Sequence, residues 1–233
     1  TSRGTLENGV LIVEDGEITT VGPTGTSIPP NATIIEATDK WVTPGIIPPF
    51  SRTGIVEVDA EVTTNDTTAA LSPFSVSLNA ADGFNPAGTA VDVTRIEGIT
   101  RIVVAPQASS KLFAGQGFIS DTSGDATSDI RQNIFIYVVM GEQGSGIAGG
   151  SRSAAWAQLR AAMEDARGYP ARYITSNDGA VLNRTDARAL QPAVRGQETL
   201  LIGAHRASDL LTIIDFAAEY PTLKIAIVGA DEG

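Results

Sequence analysis

The 233 residues suffice for one large domain or two small ones, and 42% hydrophobic against 18% charged residues excludes a disordered or fibrous chain. A formal net charge of −11, from 16 Lys+Arg against 27 Asp+Glu, argues against a nucleic-acid partner or an anionic membrane, both of which want a basic face. With no cysteine, disulfide frameworks and thiol nucleophiles fall away, and with one histidine, His205, a zinc site of the ordinary imidazole-rich kind has a single candidate ligand.

No apolar run reaches the roughly 18 residues of a membrane helix. The chain opens at Thr1 without a charged-then-apolar leader and stops at Asp231-Glu232-Gly233, directly after an apolar run, so it reads as a piece of a longer polypeptide. Residues 1–43 read as β. Val10-Leu11-Ile12-Val13 and Ile18-Thr19-Thr20-Val21 flank Asp15-Gly16, a pair suited to a tight hairpin turn. A further strand is expected at 33–36, and Trp41-Val42 leads into Thr43-Pro44-Gly45. Strands this short bury little alone and want a partner sheet.

After Pro44 the rhythm changes. Residues 53–84, rich in Thr, Ser, Asn and Asp, read as a long loop, and Asn85-Pro86 predicts a helix through Arg95 with proline in its first turn. A strand is expected at 100–105, mostly loop over 107–129 with a short strand at 117–120, and a continuous apolar strand at 134–140. Ser151 caps a predicted helix to about residue 167, in which Ala155, Trp156, Leu159, Ala162 and Met163 recur at helical spacing. A weaker helix follows at 186–194, a strand over 199–204 that leads to His205, a helix over 208–220 and a strand over 223–228. Strands alternating with helices imply βα units on a parallel sheet, with 100–105, 134–140, 199–204 and 223–228 as neighbouring parallel strands. That pattern fits an open doubly wound sheet or part of a barrel.

Few motifs carry chemistry. Gly141-Glu-Gln-Gly144-Ser-Gly146 follows a strand but lacks the third-glycine spacing of a dinucleotide loop, and reads as a plain connection. His205 sits at the C-terminal end of a predicted strand, where α/β folds place their chemistry. It fits a hydrogen-bonded structural role or a catalytic one.

The segment Trp41-Val-Thr-Pro-Gly-Ile-Ile-Pro-Pro-Phe-Ser-Arg-Thr-Gly54, with the opening hairpin, resembles the start of amidohydrolase-superfamily enzymes of the imidazolonepropionase-like branch. Those begin with a β hairpin and then "t-G-k-w-v-t-P-G-[LI]-I-D-a-H-x-H-x-G". Similarity continues through Glu97-Gly98-Ile99-Thr100, Gly141-Glu142, Ser151-Arg152-Ser153-Ala154-Ala155, Ala204-His205-Arg206-Ala207-Ser208-Asp209 and Ile227-Val228-Gly229. The resemblance implies a β-sandwich portion over 1–43 and, over 44–233, the first part of a (β/α)8 TIM-like barrel. It implies hydrolysis of non-peptide C–N bonds of cyclic amides and amidines by a metal-bound hydroxide, and suggests a periplasmic home.

This chain departs from the family at the metal. Phe50 and Arg52 stand at the positions of the two strand-end histidines, Gly229 at that of a later one, and the late aspartate would lie beyond Gly233; His205 and Glu142 match a histidine and a carboxylate near the metal. Phenylalanine cannot ligate and arginine stays cationic, so neither zinc nor another cofactor is expected. Three functions are compatible: a family hydrolase with a degraded metal centre, a non-catalytic binder whose pocket residues Phe50, Arg52 and His205 suit an anionic small molecule, or a metal-free hydrolase using Glu142 as base and His205 as acid. Arg52 is expected to take over part of the metal's electrostatic role beside Glu142. The partner is then a small molecule, with no nucleic acid or membrane, and a homo-oligomer is compatible with all of this.

Overall fold

Asp15 at φ 51° and Gly16 at φ 81° give the two left-handed residues that a tight hairpin turn needs. They join β1 (Val10–Glu14) to β2 (Glu17–Gly22) in an antiparallel pair. The computed structural model describes residues 4–58, 60–174, 176 and 178–233, and the chain divides into two units, Thr1–Pro44 and Gly45–Gly233. In the first, the hairpin is the regular structure among the described residues. The strand expected at 33–36 does not form, and Ile35 is 86% exposed there. Ile34 is 63% exposed beside it, and among the described residues a two-stranded sheet replaces the expected β-sandwich portion.

The second unit holds one curled sheet in the order β3 (Arg101–Val104), β4 (Phe113–Asp121), β5 (Ile130–Val139), β6 (Thr199–Ala204), β7 (Lys224–Gly229). β4 runs antiparallel to both β3 and β5, whereas β5, β6 and β7 are parallel. The expected partial (β/α)8 barrel is therefore wrong: among the described residues a half-barrel sheet with five α-helices takes its place. Connection length explains it. Residues 105–112 and 122–129 are too few to carry a crossover, which takes about a dozen, so the chain turns back on itself at both. β5 and β6 are joined instead through α2 (Gly141–Ile147), α3 (Arg152–Gly168) and α4 (Arg184–Val194), and β6 and β7 through α5 (Ala207–Glu219). Strand 100–105 accordingly borders β4 and not the strand at 134–140.

β5 shows why its apolar run is unbroken. Ile136, Val138 and Met140 face the helices, in a core with Leu159, Met163, Leu190, Leu200, Ile202 and Phe216. Phe135, Tyr137 and Val139 alternate to the opposite face, with Ala105, Ala114 and Leu201. β7 is an edge strand, largely exposed.

The helix start expected at Asn85-Pro86 falls instead at α1 (Thr89–Ile96), because the Asn85 side chain accepts the Ala87 N–H at 3.1 Å and folds 85–88 into a turn. Residues 53–84, apart from Asp59, which lies outside the described residues, are irregular save for short 3-10 turns at Val62–Thr64 and Ala80–Gly83. They are tied to α4 by one carboxylate. Asp186, 1% exposed, accepts the Ser75 and Ser77 N–H groups, both their hydroxyls and the Asn183 amide.

Candidate functional site

Residues 46–52 run alongside β3. Ile46 bridges Ile99 and Ser51 bridges Val104, both parallel, and the Ser51 and Ala105 N–H groups donate to Val103 and Ser51 carbonyls at 2.8 and 3.0 Å. An extended segment points alternate side chains the same way, so Phe50 and Arg52 share one face. The Arg52 guanidinium carbon lies 5.6 Å from the Phe50 ring centroid, and Phe50 meets Tyr137 edge-on, with centroids 5.3 Å apart. The face they occupy is the Tyr137, Val139, Leu201 and Ala105 side of the sheet.

Arg52 forms no ion pair among the described residues, and its Nε is buried without an acceptor. Burial pushes the Tyr137 hydroxyl above its ordinary pKa, with the Arg52 charge working against that shift. The same hydroxyl sits over the Gly203 backbone, where any Cβ would stand 2.8 Å from the phenolic oxygen. Glycine at 203 is what leaves room for the phenolic oxygen there.

His205 follows β6 and is exposed. Its Nδ1 pairs with Asp231 Oδ2 at 2.7 Å, and its ring lies over Gly229, where a Cβ would be 2.6 Å from Cε1. The neighbouring Glu232 carboxylate accepts the Ala207 N–H at 3.0 Å, at the start of α5. Glu142 lies in the first turn of α2, a helix where a plain connection was expected, and is exposed. Its charge acts on Arg152, whose pKa is raised chiefly by a hydrogen bond to Asp209 at 2.7 Å. The structure thus brings Phe50 and Arg52 together. Glu142 and His205 form no hydrogen bond or ion pair with Arg52 or with each other among the described residues, so the expected Arg52–Glu142 ion pair is not made.

No protein-family model matches the sequence, and no curated protein matches it. Among solved structures, a crystal structure of an amidohydrolase from Thermotoga maritima MSB8 matches with a TM-score of 0.80 and 22% identity. The fold is amidohydrolase-like. The match covers 95% of this chain but 60% of that one, so the chain spans less than two thirds of its structural neighbour.

An amidohydrolase-like fold raises the matter of a metal. Catalytic zinc wants three protein ligands and an open position. Among the described residues no three His, Asp or Glu side chains converge to hold an ion. Phe50 has no donor atom and Arg52 is a fixed cation, which leaves His205 as a single imidazole where three ligands are wanted. These residues do not fit such a centre.

Tyr137, Asp231 and the Arg152–Asp209 pair escaped the sequence reading. Tyr137 looked like core in an apolar run, though its parity with Phe135 and Val139 already set it on the Phe50 side. Asp231 and Asp209 meet partners 26 and 57 positions away, a distance at which spacing carries no signal. Two features lie elsewhere. A cavity of about 190 Å³ lined by Ala166, Arg167, Tyr169, Gln191, Val194 and Arg195 touches none of the four candidate residues. Glu198, just before β6, is 9% exposed with Oε1 unpartnered, and burial pushes its pKa up to about 7.

Proposed function

We propose that this chain is an amidohydrolase-like protein, related to hydrolases of cyclic amide and amidine C–N bonds, in which the metal centre is degraded. The observation that carries the reading is Arg52, which forms no ion pair among the described residues, beside Phe50, at the two positions where the resemblance expects histidines. A divalent ion about 5 Å from a guanidinium would be opposed by about 7 kcal/mol at an effective dielectric constant of 20. Without a bound ion, no water is acidified for attack on an amide carbon. The Arg52 Nε, buried without a partner among the described residues, favours a second reading, a non-catalytic small-ligand-binding protein with this fold.

Elemental analysis of the full-length protein after dialysis against chelator tests the proposal, together with a hydrolysis screen on hydantoins, imidazolones and acyl dipeptides. Substoichiometric zinc and no chelator-sensitive turnover are expected. One tightly held zinc per chain, or hydrolysis that chelator abolishes and zinc restores, would overturn it.

A further inference from the structure

We propose that the face formed by Arg52, Tyr137 and Phe50 binds the carboxylate of a small monoanion with an apolar body. This rests on the binding reading above and names its ligand class.

Several other sheltered charges are met within the fold. Asp165 holds Arg172 and the Val181 and Leu182 N–H groups, Asp186 takes its hydrogen bonds from Ser75, Ser77 and Asn183, and Asp209 holds Arg152. Three buried side-chain polar atoms lack a partner among the described residues: Ser120 Oγ, Glu198 Oε1 and Arg52 Nε. The first is neutral. The second belongs to an acid that burial holds protonated up to about pH 7. Arginine has no such escape, since its guanidinium does not lose its proton in a protein. An out-of-water donor on a permanent cation is the costliest of the three to leave unmet, and an anion meets it.

Tyr137 identifies the second contact. Its hydroxyl makes no hydrogen bond among the described residues, and the Arg52 charge opposes the burial that raises its pKa. Their rings and stems are linked through Phe50, which touches both. A guanidinium that can only donate, beside a hydroxyl that can also donate, selects a ligand group that accepts. A carboxylate does so, and the planar guanidinium fork matches its two oxygens. The charge count is equally selective: one guanidinium neutralises a monoanion, whereas a phosphate dianion would carry an uncompensated negative charge onto an apolar face. Around the donors lie Phe50, Val139, Leu201 and Ala105, which suit a hydrocarbon or aromatic body.

Calorimetric titration of the chelator-dialysed full-length protein tests this with benzoate and phenylacetate, their amides benzamide and phenylacetamide, and inorganic phosphate. At least one carboxylate is expected to bind one per chain, with its amide and phosphate weaker by about tenfold or more. Arg52→Gln should weaken carboxylate binding by about tenfold or more and Tyr137→Phe by a few-fold, with circular dichroism unchanged. If Arg52→Gln does not fold, Arg52→Lys keeps the charge, removes the fork, and should still bind several-fold more weakly. Failure of both carboxylates to saturate, an amide or phosphate binding as well as its carboxylate, or undiminished binding by the arginine variants would each overturn the site. Zinc measured in the same samples separates the two proposals. Carboxylate binding carried by retained zinc overturns the degraded-centre reading and this site together, whereas zinc-free protein that binds no carboxylate overturns this site alone.

Discussion

Replacing Glu198 with glutamine keeps the shape of the side chain and removes its ability to ionise. In the parent, Glu198 is 9% exposed, Oε1 has no partner, and burial lifts the carboxyl from its ordinary 4.5 to about 7. An acid whose pKa is higher in the fold than in the unfolded chain is held protonated there. Between pH 4.5 and about 7 the folded state therefore binds more protons than the unfolded state, and stability falls as pH rises through that interval. At about 1.4 kcal/mol per pH unit, the loss amounts to about 3 kcal/mol and levels off above pH 7. Glu198→Gln should escape this loss: nearly as stable as the parent at pH 4.5, and more stable by about 3 kcal/mol at pH 8. Urea denaturation at several pH values, followed by far-UV circular dichroism, measures it, because all five α-helices belong to the second unit. Parallel pH profiles for parent and variant would refute the reasoning, as would a parent that gains stability relative to the variant above pH 5.

Asp186→Ala should lower the urea midpoint of the second unit by the equivalent of about 3–5 kcal/mol, since it strands the buried Ser75 N–H and the part-buried Ser77 N–H. Gly117→Ala should cost about 1–3 kcal/mol in the same assay, because the new methyl would lie 2.1 Å from the buried Phe135 ring; Phe135→Leu in the same chain should recover part of the loss by making room.

Much of the second unit can be read along the chain, and the reasons are local. Ser151 accepts the Ala154 N–H at 3.1 Å as the N-cap of α3, and Leu159 and Met163 fall on its buried face as their spacing dictates. The parity that sets Phe50 and Arg52 on one side needs only an extended segment. The β4 hairpin is different. Gly115 and Gln116, just before the short strand expected at 117–120, look like loop, yet they pair with Tyr137 and Ile136 because both flanking connections are short. Glu142 shows the same limit. The charge it faces, Arg152, is set by where α3 begins relative to α5, and that placement is decided by packing across the sheet. In the first unit the residues at 33–36 have strand-like composition but no neighbouring strand to pair with, so composition alone misleads there.

The clasp between Asp186 and the irregular segment at 73–78 changes what amide exchange means in that region. Ser75 and Ser77 belong to no helix or strand, and exposed N–H groups of such segments ordinarily trade their protons with solvent at once. Here both N–H groups are engaged by a carboxylate that sits 1% exposed in the first turn of α4. Exchange at these two amides therefore waits on the separation of α4 from the segment, and its rate reports the free energy of that opening, as it would for an amide in the sheet.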